Sequence, residues 1–276
     1  KILCKIGKLS PSGGGVRRKV FHNLFEEIIS LENLLLAWQE FRRGKRSKLD
    51  VHKFEFNLED TIFQLHQELS TKTYRHSHYT SFYVKDPKLR HIHKACVKDR
   101  VLHHAVFRIL YYIFDKSFIF DSYSCRNKKG THRAVNRFQK FAVKTGENNS
   151  KLIFVLKCDI RKFFDSIDQE ILISLLKKRI KDYNTICLLE IIIRSFKKGL
   201  PLGNITSQLF ANIYLNELDQ FIKHKLKIKY YIRYCDDFII LSGDKLYLKD
   251  LIVKINNFLK SLKLYLHPDK ITISKY

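Results

Sequence analysis

A chain of 276 residues, 45% apolar, in which 52 Lys and Arg face 27 Asp and Glu, carries a formal charge of +25. Such a length buries a sizeable core as one large or two intimate domains, and the charge points to a polyanionic partner, nucleic acid ahead of membrane. No apolar run approaches the roughly 20 residues of a membrane helix, and the six scattered cysteines form no CxxC pair or His/Cys cluster, which sets aside zinc and a disulfide framework and suits a reducing cytoplasm.

Lys, Ile, Asn, Phe and Tyr are the residues of AT-rich codons, so part of the lysine excess is genome bias. No signal-peptide pattern opens the chain, and a start at Lys1 with no Met anywhere suggests a fragment or a processed chain.

In chain order, Ser10-Pro11-Ser12-Gly13-Gly14-Gly15 reads as a flexible lead-in over residues 1–15, since no strand precedes it and GK[ST] is missing. Leu24, Ile28, Leu31, Leu35 and Trp38 recur at helical spacing, which predicts one helix from Phe21 to Arg42. It ends in the basic Arg42-Arg43-Gly44-Lys45-Arg46, a solvated helix end unless nucleic acid lies beside it. A second helix is predicted over about Asn57–Ser70. Two alternating stretches between Tyr79 and Lys94 flank Asp86-Pro87, a hairpin by its turn chemistry. Lys85, Lys88 and Arg90 give it a basic edge suited to a triphosphate or a strand backbone; exposed lysines on hairpins are also ordinary.

A helix over about Lys98–Phe114 is followed by the basic loop from Asp121 to His132, which opens a helix from Arg133 to Lys144. Such a loop at a helix N-terminus binds phosphate or serves as a solvated linker. Lys151 to Ile160 is a continuously apolar run, a buried strand by its pattern, and Asp159 stands at its end. Ser166 with Gln169 has the spacing of a capping box for a helix to about Lys181. Asp165 and Asp168 near that start suit the helix dipole and read as structural.

A helix over about Tyr183–Lys198 precedes Gly199-Leu200-Pro201-Leu202-Gly203, a tight loop whose glycines permit close approach of a nucleotide. Asn204, or Thr206 and Ser207, is placed to cap the helix that runs to about Lys225. In Tyr230 to Leu241, Asp236 and Asp237 interrupt a β-branched and aromatic run, so the pair sits at a tight hairpin turn. The bland reading is a polar turn. The alternative is a metal site, because crowded like charges need cations and a rigid carboxylate pair suits Mg²⁺. Asp159 as a third acid would complete a two-metal phosphoryl-transfer set, with ions about 4 Å apart. A helix over Lys245–Leu262 and a short hairpin over Leu264–Ile273 close the chain.

Taken together these stretches resemble the bacterial, group II intron-like reverse transcriptases, from about Lys45 to the C-terminus. FYVKDPKLRHI resembles the fingers hairpin, DSYSCRNKKGTHRAV the template-side loop and KCDIRKFFDSI the first catalytic motif. GLPLGNITSQLFANIYL is similar to the loop and helix beside the nascent base pair, RYCDDFII to the YxDD motif and LYLHPDKITI to the primer grip. Most such enzymes end the nascent-pair loop in Ser-Pro; Thr206-Ser207-Gln208 instead resembles the enzymes of diversity-generating retroelements, which copy a template RNA repeat into cDNA with errors at adenines. Retron, group II intron and phage-defence enzymes share the rest of the pattern.

The resemblance implies an α+β right-hand fold with an antiparallel palm sheet backed by helices. Fingers would span residues 16–130 and 168–200, palm 131–167 and 201–276, with the thumb short or absent. Asp159, Asp236 and Asp237, helped by the Ile160 backbone, would hold two Mg²⁺, with Mn²⁺ able to substitute. Lys88 and Arg90 would meet the triphosphate. Phe164 would gate against a ribose 2′-hydroxyl, and Leu202, Gly203 and Gln208 would line the nucleotide pocket. Leu202 replaces a common Gln, which fits low fidelity. His267, Pro268 and Lys270 would grip the primer, while Arg126, Lys128 and Lys129 would meet the template. Template RNA, a DNA primer and dNTPs are then the partners, and a small basic helical accessory protein would supply the missing thumb surface. A non-catalytic RNA-binding module and an RNA-templated RNA polymerase compete with this reading; the three acids disfavour the first and Phe164 with YxDD the second.

Overall fold

The computed structural model describes residues 19–85 and 88–276; the lead-in over residues 1–15, Cys4 and the Asp86-Pro87 turn lie outside the described residues. The N-terminal part is helical: α1 (Leu24–Ile29), α2 (Leu31–Phe41), α3 (Leu49–Phe56) and α4 (Leu58–Ser70). The single helix expected over residues 21–42 is two. Ser30 adopts an extended ψ of 141° and its hydroxyl accepts the amide of Asn33, so it stops α1 and caps α2. The apolar spacing carries across the break, which is why periodicity alone read one helix. Helix α3 escaped the sequence reading because its apolar face is thin: only Val51 and Phe54 are buried.

A projecting antiparallel hairpin follows, β1 (Thr80–Lys85) and β2 (Leu89–Lys94), and then α5 (Val97–Asp115). Val101, Leu102, Ala105, Val106 and Leu110 of α5 are fully buried, and this helix packs against both α2 and the later helix Ile205–Gln220. After the basic loop come α6 (Thr131–Thr145), β3 (Phe154–Cys158), a single turn α7 (Phe163–Ser166), α8 (Gln169–Lys177) and α9 (Tyr183–Arg194). The capping box expected from Ser166 and Gln169 is not formed. Ile167 turns extended, so Ser166 belongs to α7, and Asp168 caps α8 by accepting the amide of Ile171 at 2.9 Å. The Gln169 side chain instead donates to the carbonyls of Ile193, Phe196 and Gly199, tying α8 to the end of α9. Helix α9 stops at Arg194, short of the expected Lys198.

The long α10 (Ile205–Gln220) runs on into a π-helical turn, Phe221–Lys225. Asn204 holds its N-cap position but makes no capping bond through its side chain, and Thr206 and Ser207 are buried within the first turn. Strands β4 (Tyr231–Tyr234) and β5 (Asp237–Ser242), helix α11 (Lys245–Ser261) and β6 (Thr272–Lys275) complete the chain. The expected C-terminal hairpin does not close on itself. Leu266 bridges to Ile160, Pro268–Lys270 form a 3₁₀ turn, and β6 pairs with β3. Four residues of β3, Phe154 to Lys157, pair with β6 in place of the expected partner within the segment.

The main sheet is antiparallel throughout, in the order β4-β5-β3-β6. Alternation sends Leu156, Cys158, Tyr231, Phe238 and Ile240 into the main core with α5 and α10. Val155, Ile232 and Leu241 point the other way, onto Phe141 and Ala142 of α6. This α+β arrangement matches the expected fold class. The loop after α9 is fixed onto α7 by close backbone contact: Leu200 donates to the Phe164 carbonyl at 2.9 Å, and Gly199, at φ +66°, would place a Cβ 2.2 Å from that same oxygen. Gly199→Ala therefore combines a left-handed backbone with a clash against main chain, a combination that should cost roughly 2–4 kcal/mol. Urea unfolding measures it; a loss below about 1 kcal/mol would show that the loop moves freely over α7.

Candidate active site

The ladder between β3 and β5 ends with Cys158 opposite Phe238. One step further along each strand stand Asp159 and Asp237, so the register itself brings the first acid to the Asp-Asp turn. Cys235 takes φ +57° at that turn and lets the chain reverse between Tyr234 and Asp237. Burial, and then the charge of Asp159, pushes the Asp236 carboxyl above the usual carboxylate range. Asp237 is raised by burial first and then by Asp159 and Asp236. Asp236 and Asp237 resist ionising in this crowd, as packed carboxylates do without a cation.

A cation is already supplied in part. The ammonium of Lys270 donates to Asp159 at 2.8 Å, and that bond holds Lys270 above its ordinary pKa. The segment that carries it is bound to the end of β3: Arg161 donates to the Tyr265 carbonyl, and the His267 amide donates to the Asp159 carbonyl at 2.8 Å. Ile160 is buried in that bridge. Thus His267, Pro268 and Lys270 lie beside the acids. Among the described residues no group of three or more Asp, Glu, His or Cys closes into a ready metal cage. Hard oxygen donors with raised pKa values and an ammonium standing in for one counter-charge nonetheless fit divalent cations better than soft or imidazole-seeking metals.

What presents the turn is a residue outside the predicted set. Arg233 is fully buried in β4 and uses all five of its N–H donors. Nε and Nη2 take both oxygens of Asp219 at 2.8 and 2.7 Å; Nη2 also reaches the Ser122 hydroxyl; Nη1 takes Asn212 and the carbonyl of Cys235 at 2.9 Å. Tyr231 donates to Asp219 as well. Asn212 and Asp219 are seven apart on α10, hence on one face. The backbone of Arg233 pairs with Asp121 and Tyr123, so the basic loop is sewn to the same strand. The available signals were an arginine inside an apolar strand and an aspartate on an apolar helix face, each needing a partner.

The predicted nucleotide-side residues are partly gathered. Phe164, half-buried, and Gln208, exposed, line one narrow cavity with Cys125, Asn212, Arg233 and Cys235, directly behind the aspartate turn. Leu202 is half-buried, and its carbonyl accepts the amide of His93 at 3.0 Å. Gly203, at φ +115°, leaves room for Ile92, whose Cγ2 would lie 3.1 Å from an added Cβ. The nascent-pair loop and the β1–β2 hairpin are therefore in direct contact. Lys88 and Arg90 are exposed on that hairpin.

Arg126 does not fit its predicted role. Its side chain is 6% exposed and is spent on Asp115 and on the carbonyls of Ile119 and Ser122. It folds the basic loop, with its donors spent inside the protein. Lys128 is exposed; Lys129 is half-buried, and its ammonium donates to the Phe120 carbonyl and sits over the Phe120 ring at 3.5 Å. Asp168, read as structural, is so: it caps α8 and pairs with Lys263. No helix among the described residues is long and apolar enough to cross a membrane.

Residues 84–276 match the family model described as reverse transcriptase (RNA-dependent DNA polymerase). Protein YkfC of Escherichia coli (strain K12) is 25% identical over 229 residues, covering 67% of this chain and 60% of that protein. The group II intron-encoded protein LtrA of Lactococcus lactis subsp. cremoris is 28% identical over 229 residues, covering 77% of this chain and 37% of that protein. The chain thus spans less than two thirds of either relative.

The raised pKa values predict a trade between stability and the acid cluster. A carboxyl whose pKa is higher in the folded state lowers stability as pH climbs past the unfolded value near 3.8 and through the folded one. In chelated protein, Asp237→Asn removes part of that loss, so its melting temperature should exceed the parent's at pH 7, with the gain fading below about pH 4. Divalent cation should then stabilise the parent more than the variant. A variant less stable than the parent at pH 7 without metal would show that the acids are not in conflict.

Proposed function

This chain belongs to the reverse transcriptase family, and we propose that it is an RNA-directed DNA polymerase that extends a DNA primer along a template RNA. The observation that carries this is the convergence, through one strand register, of Asp159, Asp236 and Asp237 at one end of the two central strands of the antiparallel sheet. Nucleotidyl transfer needs little covalent help from protein; it needs positioning and charge stabilisation. Two Mg²⁺, with Mn²⁺ able to substitute, are the ions proposed for the three acids; when bound they supply Lewis acidity at the attacking 3′-hydroxyl and the leaving pyrophosphate.

The chain's own groups do the rest. Asp159, Asp236 and Asp237 hold the charge, with the Ile160 backbone beside them. Arg90 and Lys88 meet the triphosphate from the hairpin, which the Leu202 carbonyl holds near the nucleotide loop. Phe164 packs where a ribose 2′-hydroxyl would clash, and Leu202, Gly203 and Gln208 complete the pocket. His267, Pro268 and Lys270 steady the primer end, with Lys270 held beside the acids by its bond to Asp159. Lys128 and Lys129 meet template phosphates.

As to subtype, we read the enzyme as the error-prone polymerase of a diversity-generating retroelement, working with a small basic helical accessory protein. Thr206-Ser207-Gln208 at the loop end and an apolar Leu202, which offers no hydrogen bond to a base pair, support it. Likeness to LtrA, an intron-encoded protein, favours an intron-type enzyme as the second reading.

Primer extension on an RNA template with Mg²⁺ tests the activity. Asp236→Ala combined with Asp237→Ala should lower the rate by about a thousandfold or more, as loss of charge stabilisation does; a double variant that extends like the parent removes the assignment. Sequencing the cDNA tests the subtype. Misincorporation should concentrate opposite template adenines and fall on Leu202→Gln, whereas errors spread evenly over four template bases would exclude the diversity-generating reading.

A further inference from the structure

The β1–β2 hairpin buries almost nothing of its own. Every β1 residue and the first half of β2 are exposed, so no core of its own sets the direction in which the hairpin projects. Besides the Leu202 contact at His93, that direction depends on the base, where one carboxylate gathers both ends. Asp99, the third residue of α5, is completely buried. It accepts the Tyr74 hydroxyl at 2.8 Å and the Ser77 amide at 2.9 Å from the chain entering the hairpin. It also accepts the Cys96 thiol at 3.2 Å from the chain leaving it, and the His76 ring lies 3.6 Å away. Burial alone would raise Asp99, yet His76, Tyr74, Cys96 and Ser77 outweigh it and hold the carboxyl below its ordinary pKa.

The network continues outward from there. His76 stacks on Tyr79 and on His103, and the Tyr79 hydroxyl bonds the Ser195 hydroxyl at 2.8 Å just past α9. Tyr79 meets Phe196 edge-on, Phe196 meets His93, His93 meets His91, and His91 stacks flat on Tyr83 with centroids 4.4 Å apart. An unbroken row of rings thus runs from the buried base to the exposed upper part of the hairpin, on the face opposite Ile92. Arg90 lies on the Ile92 face, the one turned toward Gly203.

We propose that Asp99 is a positioning residue for nucleotide binding: by clamping Tyr74, Ser77 and Cys96 at the hairpin base, it fixes the angle at which Arg90 meets the incoming triphosphate. This rests on the reading of Arg90 as a triphosphate contact. The lever is long. Arg90 is four residues beyond Lys94, about 13 Å along the strand, so a tilt of about 10° at the base moves it by ~2 Å. Misplacement on that scale is enough to weaken a contact to phosphate severely. Because Asp99 touches no reacting atom, its loss acts on nucleotide affinity and spares the chemical step.

Steady-state primer extension with the full chain, RNA template and Mg²⁺, read as KM for dNTP and kcat separately, tests this. Asp99→Asn should raise KM about tenfold while kcat stays within about threefold, and Tyr74→Phe should do the same to about threefold in KM. Tyr74→Phe removes one hydroxyl and carries the test if Asp99→Asn fails to fold. Arg90→Ala should raise KM alone, and adding Asp99→Asn or Tyr74→Phe to it should raise KM no further, because both act through the same contact. Additive effects, or a fall in kcat at unchanged KM, would overturn the positioning role while leaving Arg90 in place. An unchanged KM in Arg90→Ala would overturn the triphosphate assignment and the proposal with it.

Discussion

The Arg233–Asp219 pair is the interaction on which the rest of the candidate active site depends. Both side chains are fully buried, so their charges are tolerable only because every donor of the guanidinium and both oxygens of the carboxylate are occupied. The pair is more than a local neutralisation. Through it, α10 holds β4, the basic loop is bonded to the same strand at Asp121 and Tyr123, and the carbonyl of Cys235 is fixed just ahead of the aspartates. A hydrophobic pair of equal volume would fill the space as well, but it could not aim a turn. Removing one partner leaves a buried charge without compensation, at a cost of order 3–5 kcal/mol.

Electrostatics is divided between two regions with opposite character. Around Arg233 the charges are saturated and the structure is self-sufficient. Around Asp159, Asp236 and Asp237 it is not: two of the acids resist ionisation, and Lys270 covers only one oxygen of the third. A saturated network thus supports an unsaturated one, and the imbalance is concentrated where a polyanionic substrate and its cations would meet. Under the proposed function, the large positive charge of the chain acts at longer range, drawing a polyanion toward a site whose own local charge is negative.

Much of this was legible in the sequence, because strand and turn chemistry is local. The β-branched run around Asp236-Asp237, the apolar run ending in Asp159 and the Gly-Pro-Gly loop each announced their geometry. Helix boundaries were less readable. Ser30 breaks a helix whose apolar spacing continues across it, and Asp168 took the cap that Ser166 was spaced to provide. Long-range partners were hidden altogether. Nothing near Arg233 in sequence names Asp219 and Ser122 as its partners, nor does Tyr74 name Asp99. Arg126 shows the converse error: a basic residue in a basic loop looked free, whereas the fold had already consumed its donors. The pairing of β6 with β3 depended on an open sheet edge, which no local pattern reports.

The contact between Gly199 and the Phe164 carbonyl has a consequence for how such an enzyme could diverge. Phe164 and the Leu202 loop stand on separate stretches of chain, yet Leu200 is hydrogen-bonded to the Phe164 backbone and no Cβ fits at Gly199. Under the proposed assignment, one of these stretches judges the sugar and the other judges the base pair. Joined main chain to main chain, they form a single mechanical part. Selection for looser copying, acting on the loop, would therefore also disturb discrimination against ribonucleotides unless it changed side chains alone. Exchanging Leu for Gln at position 202 is such a change: it alters the surface offered to the base while leaving the shared backbone untouched.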